Sequence, residues 1–465
     1  MHELLALFGY EEDEIENEAV RVAKAFERLG VTSQDIVDAK GRLTRYYDLE
    51  LVGVRKMLGL YLRDMVDLVL ARDEGKTKVV YAIMAEGFDL IASAFGSKTK
   101  ELFVSWPESL FEVLFGPGCF EKLTPVLEAA ENRWLKAGVV AHCANVKALV
   151  GALELKLIPE PDYLVVSGFL CETAPKTIDI LHEMYGVPMS YFGTCLDREA
   201  NEDPDTEARR VRVAARHMRE LVEKMQEVVG VEISDDDVVE QVSGKRVLRD
   251  NLQKIHQMID SSERVLMSAA NESIVFLSAR LAANAGNVPR LAEATTVLCE
   301  ELERRVATGF DLMKEGAPRL FVMVPASFTD PRLEHLIEET GMIIASTEID
   351  CFWPEGQRTP PKLEGTPDVY EGVCSYLYDS KTRKLAERIQ IIEQVCRRLK
   401  VDGVVCRSHV GCRTIHGDVL VIKDALTRDL GLPAMVLEYE SFDPRFYEEE
   451  TLRGRFEMFK EMVVA

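Results

Sequence analysis

The segment from Cys406 to Cys412 places two cysteines and one histidine, His409, within seven residues of sequence. An apolar run at 403–405 precedes the first cysteine and is typical of a buried strand, and a helical pattern follows the second. Open α/β sheets bind their ligands beyond the carboxyl ends of the strands, which is where this segment would lie. Thiolates bind soft and borderline metals and also carry out redox chemistry. The segment therefore predicts a metal or redox site at the edge of a sheet.

Further cysteines occupy similar positions in the chain. Cys143, Cys171 and Cys351 each come at or just beyond a predicted strand, and Cys119 ends the turn sequence Gly-Pro-Gly-Cys. The free N–H groups and the positive dipole end at the start of a helix stabilise a thiolate. A single cysteine is most often a buried, unreactive core residue. Several cysteines at one edge of two sheets instead favour ligation of a shared centre.

The spacing of the cysteines also bears on the type of centre. Paired Cys-x-x-Cys motifs, which are the pattern of structural zinc, are absent from the sequence. Cysteines that occur singly, with few histidines, are more typical of an iron–sulfur cluster held between domains. His142 and His409 neighbour the predicted site, where a histidine can donate a proton or orient a ligand.

The remaining cysteines carry less information. Cys299 and Cys396 lie in apolar stripes with helical spacing, which predicts core positions for both. Cys195 and Cys374 have no such context, and core, surface and ligand positions all stay open for them.

The composition limits the class of protein. The 465 residues carry a formal net charge of −23, which argues against nucleic acid or an anionic membrane as the general partner. The N-terminal residues lack a basic, signal-like pattern, and the sequence contains no apolar run of a membrane-spanning length, so we predict a cytoplasmic protein. A P-loop motif and a Gly-x-Gly-x-x-Gly motif are also absent, so any role of ATP requires another protein.

The elements that must position the cysteines are predicted from periodicity. Residues 1–75 show helical spacing, and 76–204 alternate short apolar runs with helical segments, which indicates a first α/β domain. Residues 205–315 are long amphipathic helical runs, and alternation resumes in 316–465, which end in a helix. The predicted fold class is α/β, with two similar flavodoxin-like or Rossmann-like domains of parallel strands, an N-terminal helical extension and a helical middle region.

The two α/β halves contain a weak internal repeat. In each half a strand leads to a cysteine, a helix and a Gly-x-Pro sequence before the next strand, and the cysteines are Cys171 and Cys412. Such a repeat predicts two similar domains that face each other across a cleft, each bringing thiolate ligands to it. Chance similarity between two strand–helix–strand units is the alternative.

At these residues the sequence resembles the 2-hydroxyacyl-CoA dehydratase and benzoyl-CoA reductase family. The resemblance is carried in the first half by 142–147, 163–171 and 185–188, and in the second half by 402–405, 409–413, 432–433, 438–440 and 443–445. It implies a [4Fe-4S] cluster held by three cysteines that map onto Cys143, Cys171 and Cys412. It also implies that a separate ATP-hydrolysing iron–sulfur activator delivers single low-potential electrons.

The sequence departs from the usual family pattern at two positions and carries additional cysteines. Asn145 stands where an aromatic residue is usual, and Glu172 stands where aspartate is common. The resemblance is greatest to a branch of homodimeric double-cubane reductases without an acyl-CoA substrate. That branch implies an [8Fe-9S] cluster with a second set of three ligands, for which the candidates are Cys119, Cys351 and Cys406, with Cys374 as the rival of Cys119.

Three functions therefore stay open from the sequence. The expected function is a reductase of a small molecule at a double-cubane cluster. The alternatives are a [4Fe-4S] subunit of a 2-hydroxyacyl-CoA dehydratase or aryl-CoA reductase, and an electron carrier or scaffold without a substrate of its own.

Overall fold

Two parallel sheets, surrounded by helices, form the framework of the protein. The computed structural model describes residues 1–85, 87–133, 142–168, 171–193, 203–323, 330–348, 363, 365–381 and 385–465. Each sheet has four strands, and all of their pairings are parallel. The predicted α/β class with two similar sheet domains, a helical N-terminal region and a helical middle region is confirmed.

The N-terminal region is helical, as its periodicity predicts. Its helices are α1 (His2–Leu7), α2 (Glu12–Arg28), α3 (Ser33–Tyr46) and α4 (Val52–Leu70). Helix α4 is buried on nearly all sides, so the free N–H groups of its first turn need partners inside the protein. The buried carboxylate of Glu301 accepts from Val52 N at 2.8 Å and Gly53 N at 3.0 Å, which attaches the middle region to α4.

The first sheet has the strand order β2-β1-β3-β4. Its elements are β1 (Lys78–Ile83), α5 (Phe88–Lys98), β2 (Leu102–Ser105), α6 (Pro107–Phe115), α7 (Leu123–Arg133), α8 (Ala144–Glu154), β3 (Tyr163–Ser167), α9 (Thr173–Tyr185) and β4 (Met189–Phe192). The strand predicted at 137–140 lies outside the described residues. Because the strands are buried on both faces, they are continuous apolar runs rather than alternating ones.

The middle region contains α10 (Pro204–Val229), α11 (Asp235–Gly244), α12 (Arg246–Ser261), α13 (Ala269–Ser278) and α14 (Val288–Thr308). The second sheet follows with the order β6-β5-β7-β8. Its elements are β5 (Arg319–Val322), α15 (Pro331–Glu339), β6 (Ile343–Thr347), α16 (Val369–Lys381), α17 (Leu385–Arg398), β7 (Gly403–His409), α18 (Arg413–Leu430), β8 (Ala434–Tyr439) and α19 (Glu449–Val464).

The two sheets repeat one topology. In each, the second strand of the half lies at one edge, and the third and fourth strands occupy the last two places. The strand–helix–strand units that the sequence repeat identified, β3-α9-β4 and β7-α18-β8, therefore hold equivalent positions. Among the described helices, none is long and apolar enough to cross a lipid bilayer.

Candidate functional site

Cys143 lies close to Cys171 and Cys412, which follow β3 of the first sheet and β7 of the second. Cys143 directly precedes α8, Cys412 directly precedes α18, and Cys171 lies two residues before α9. Burial is the main cause that raises the pKa of the Cys143 thiol, and the negative charge of a Cys171 or Cys412 thiolate raises it further. The three side chains are thus near enough to interact electrostatically. The structure gathers three thiols from the predicted set, and they come from both α/β halves.

The close approach of the two halves depends on Gly411. This residue has a φ of +85°, and a Cβ atom placed on it would lie 3.1 Å from the Cα of Cys143. Glycine therefore meets two requirements here, since it adopts the left-handed conformation and leaves room for the neighbouring backbone. The turn that it forms brings Cys412 beside Cys143.

Backbone N–H groups surround the sulfur atoms. The Sγ of Cys171 accepts from Ala174 N at 3.3 Å and also from Thr173 N, while Cys143 interacts with the N–H of Val146. Burial, the larger effect, raises the pKa of both thiols above the usual range, and these contacts lower it only in part. A thiolate at this site consequently needs a positive partner in addition to the helix N-termini.

The chemistry of the three thiols fits the ligands of an iron–sulfur cluster. Across the part of the chain that the structure describes, no three His, Cys, Asp or Glu side chains converge closely enough to hold one ion. A cluster distributes its thiolate ligands over separate iron atoms, so they need only surround a common space. Three thiols with N–H donors to sulfur provide such surroundings.

Glu440 is a buried carboxyl group beside these cysteines. It follows β8, accepts a hydrogen bond from the N–H of Ala144, and has a pKa raised to about 8, mainly by burial. After burial, its charge is the largest influence on the pKa of the Cys143 thiol. Sequence reasoning included Glu440 only as part of a family pattern, and its burial at 4% exposure follows from the tertiary structure.

His409 ends β7 and is also buried. Its Nδ1 donates to Val410 O at 2.9 Å, since a carbonyl oxygen can only accept, and this leaves Nε2 as an acceptor at 3.4 Å from Glu440 Oε1. Burial lowers the pKa of His409 to about 4, so the ring is neutral near pH 7. In this arrangement His409 orients Glu440 and carries no proton on the nitrogen that faces it.

His142, the second predicted histidine, is also held by a hydrogen bond at its Nδ1 atom. Its Nδ1 lies 3.0 Å from Thr177 Oγ1, and that hydroxyl donates its proton to Thr173 O. The histidine must therefore be the donor in the first bond, which leaves its Nε2 as the acceptor. Burial is the main cause that lowers the pKa of His142. The remaining ring nitrogen, Nε2, is therefore suited to accept a hydrogen bond rather than to give one.

The other predicted ligands have different surroundings. Cys406 lies within β7, and Cys119 follows α6 with its carbonyl oxygen accepting from Arg42; both are buried in hydrophobic clusters. Burial raises the thiol pKa of each, to about 12 for Cys406. Cys374 is buried on α16, and its thiol pKa is about 12 for the same reason. Cys351 lies outside the described residues.

Cys299 and Cys396 are buried in the hydrophobic core, as their helical spacing predicts. Cys195 falls outside the described residues.

Sequence reasoning missed several buried charged residues next to the site. Glu108 and Glu112 lie on α6, and Arg407 lies within β7; all are at most 2% exposed. The available signal was a charged residue inside a segment that is otherwise apolar, because such a residue has no solvent-facing side. Buried charges of this kind are often functional.

Comparisons with known proteins give the site a context. Residues 125–463 match the family model described as 2-hydroxyglutaryl-CoA dehydratase, D-component. The chain is also 23% identical, over 428 residues, to one of the subunits of benzoyl-CoA reductase from Thauera aromatica, an alignment that covers 82% of this chain and 93% of the relative. The matched region contains all three cysteines that the structure brings together.

Proposed function

Since the chain belongs to the 2-hydroxyglutaryl-CoA dehydratase D-component family, we propose that it is the iron–sulfur component of a reductase or dehydratase system. The observation that supports this most directly is the meeting of Cys143, Cys171 and Cys412 between the two sheet domains. The similarity to a benzoyl-CoA reductase chain favours an acyl-CoA thioester as the class of substrate.

In this proposal the three cysteines hold a [4Fe-4S] cluster. The cluster, when bound, supplies single low-potential electrons to the substrate. The protein's own residues hold the site in place: helix N-termini and N–H groups direct partial positive charge at the sulfur atoms, and Gly411 allows the two halves to approach. Glu440 adds a carboxyl group that can carry a proton beside the thiols.

The electrons must come from another protein. The sequence contains no P-loop through which this chain could itself couple ATP hydrolysis to electron transfer. An ATP-hydrolysing iron–sulfur activator, as the family resemblance implies, is therefore the proposed electron donor.

The three-thiol arrangement supports the [4Fe-4S] alternative over the double-cubane form. A second cubane would need three more thiolates, and neither Cys119 nor Cys406 directly precedes a helix as Cys143 and Cys412 do. The substitution Cys406→Ala separates the two forms. We expect unchanged iron content for the single cluster, whereas loss of about half the iron would favour the double cubane and the homodimeric branch.

Iron and acid-labile sulfide analysis of anaerobically purified or reconstituted protein tests the proposal. By the family resemblance, we expect close to four irons per chain and reduction by a low-potential donor. Close to eight irons would establish the double cubane instead, and a protein that binds no iron under these conditions would overturn both forms.

Calorimetric titration with acyl-CoA thioesters tests the substrate class. Binding of an acyl-CoA would support the dehydratase or reductase subunit. An iron-loaded protein that binds none, and whose reduced form is re-oxidised only by a protein acceptor, would favour an electron carrier.

A further inference from the structure

Helix α6 carries two acidic residues in a wholly buried setting. Glu108 is 0% exposed and Glu112 is 2% exposed, and every other residue of the helix is buried as well. Residues four apart lie on the same face of a helix, so the two carboxyl groups are neighbours. Burial of two carboxyl groups is energetically unfavourable, so a protein retains such a pair only where the surroundings compensate or where the pair has a use.

The surroundings compensate for only part of this cost. Burial, the largest effect, raises the pKa of Glu112 well above the usual range, and the charges of Glu108 and Glu440 raise it further. Arg280, on the 3-10 turn Ala279–Ala283, lowers that pKa and donates to Ser109 Oγ on the same helix. Tyr61 of α4 is a further titratable neighbour and is buried itself.

The hydrogen bonding of Glu112 is incomplete. Within the described residues its Oε1 atom is buried and has no hydrogen-bonding partner. A carboxylate with a buried oxygen that lacks a donor is poorly stabilised, so this position favours the binding of a proton by Glu112. Negative charge added nearby would favour proton binding here still further.

The acid pair is connected to the cysteine site through Glu440. In addition to burial, the charge of Glu440 raises the pKa of both Glu112 and the Cys143 thiol, and Glu440 accepts from the N–H of Ala144. Helix α6 also packs directly against α8, which begins after Cys143. Glu440 therefore interacts electrostatically with both the acid pair and the cysteine site.

The backbone next to the pair supports a functional role. Met84, at the end of β1, has a φ of +46°, which is unfavourable for a residue other than glycine. Its N–H lies 3.5 Å from Glu108 Oε1, and its carbonyl oxygen accepts from Ser167 Oγ at 2.7 Å. The strained Met84 lies between β3 and the acid pair. This indicates that the carboxyl end of β1 has a role in addition to packing.

We propose that Glu108 and Glu112 form a buried proton store, which takes up a proton from solvent when an electron enters the cysteine site and releases it to the reduced substrate. This inference rests on the proposed function. The added electron places negative charge in a region of low dielectric constant, where a nearby proton offsets it strongly.

The protons and electrons balance in this scheme. A one-electron donor, the activator protein or dithionite in the test, loses one electron, and one solvent proton binds to a carboxylate of the pair. When the substrate has accepted the electron, the O–H bond of the acid breaks, a bond from that hydrogen to the substrate forms, and the carboxylate is restored.

The pH dependence of the reduction potential tests the coupling. In iron-loaded wild-type protein we expect the potential to fall by up to about 59 mV per pH unit where the pair titrates, because one proton accompanies one electron. Glu112→Gln should keep its iron and lose this slope, and Glu112→Asp should restore it. An unchanged slope in iron-loaded Glu112→Gln would overturn the proton store.

Glu334→Gln is the matched control. Glu334 is also a buried glutamate with a pKa raised to about 8, but it accepts from Ala269 N and Ala270 N, both at 2.8 Å, at the start of α13. Its substitution should leave the slope of the potential unchanged. A loss of slope here as well would show a general effect of burial and would also overturn the proposal.

A measurement without the cluster tests the acid pair independently. Infrared spectra of cluster-free protein, recorded across a pH titration, should show in wild type but not in Glu112→Gln the carbonyl band of a buried carboxyl group that binds its proton above the usual pKa range of glutamate. Absence of this band would overturn the proton store even if the iron content is as proposed. Wild-type protein that binds no iron would overturn the proposed function and, with it, the coupling.

Discussion

The local environment of each cysteine separates the three proposed cluster ligands from the thiols of the core. Cys143, Cys171 and Cys412 are partly exposed and lie next to helix N-termini, whereas Cys119, Cys374, Cys396 and Cys406 are buried. A thiol at a helix start can be deprotonated once iron is near, because N–H groups and iron both stabilise the negative sulfur. Cys406, within a strand, and Cys374 and Cys396, within helices, lack this compensation.

At this scale we predict that Cys171→Ala lowers the iron content of reconstituted protein strongly, because the sulfur that accepts from Ala174 N is removed. Cys396→Ala, in the hydrophobic core on α17, should leave iron content unchanged and cost about 1 kcal/mol of unfolding free energy. Colorimetric iron analysis and urea unfolding measure the two effects. Equal iron in Cys171→Ala and wild type would exclude Cys171 as a ligand.

Helix positions determine where the thiols lie. Helix α8 packs against α7 so closely that a Cβ atom on Gly151 would lie 1.8 Å from the carbonyl oxygen of Val126. Only glycine allows this approach, and the approach sets the position of the helix that Cys143 precedes. The packing of one helix is therefore coupled to the geometry of the site.

The same substitution, glycine to alanine, should have opposite effects on the free energy of unfolding at two helix positions. Gly151→Ala should lower the free energy of unfolding by about 2–3 kcal/mol, because α7 and α8 must separate. Gly417→Ala, on α18, meets open space and should raise it by about 0.5–1 kcal/mol through helix propensity. Chemical denaturation compares the two, and a neutral Gly151→Ala would contradict the close packing of these helices.

The hydrogen bonds that attach α4 to the middle region give a second prediction about the stability of a helix. Glu301→Ala removes the acceptor of two N–H groups in the buried first turn, so we expect a loss of about 1–2 kcal/mol. Glu300→Ala changes an exposed neighbour on the same helix and should have little effect. Urea unfolding of both variants measures the difference, and equal stability would show that solvent or another group satisfies the turn.

At the scale of the whole molecule, the main feature is the contact between the first and the second α/β half. Besides Gly411 against Cys143, Arg445 of the second half donates to both carboxylate oxygens of Glu131 in the first, at 2.8 and 2.9 Å. Lys147 of α8 adds a third contact to Glu131 at 3.0 Å. The ion pairs thus join the helix of Cys143 to the segment that follows β8.

This contact predicts a pH dependence of stability. The bond to Arg445, and also that to Lys147, lowers the pKa of Glu131 from 4.5 to about 2. The folded pKa is below the unfolded one, so the contribution is complete above pH 4.5 and is lost as the pH falls toward 2. Glu131→Gln should therefore cost on the order of 1–2 kcal/mol at pH 7 and flatten the acid side of the stability curve. Thermal unfolding between pH 3 and 7 measures this, and parallel curves for variant and wild type would contradict it.

The amino-acid sequence alone determined the alternation of strands and helices in the two halves and the places of Cys171 and Cys412 after β3 and β7, because periodicity and turn residues are local properties. Only the tertiary structure decided which cysteines meet. Successive residues of a strand point to opposite faces of the sheet. Val404 and Cys406 belong to the hydrophobic cluster that includes α17 and α18, whereas Val405 belongs to the hydrophobic cluster on the other face. An apolar strand does not reveal which face lies toward a site, so the difference between Cys406 and Cys412 depends on which helices pack on each face of the second sheet.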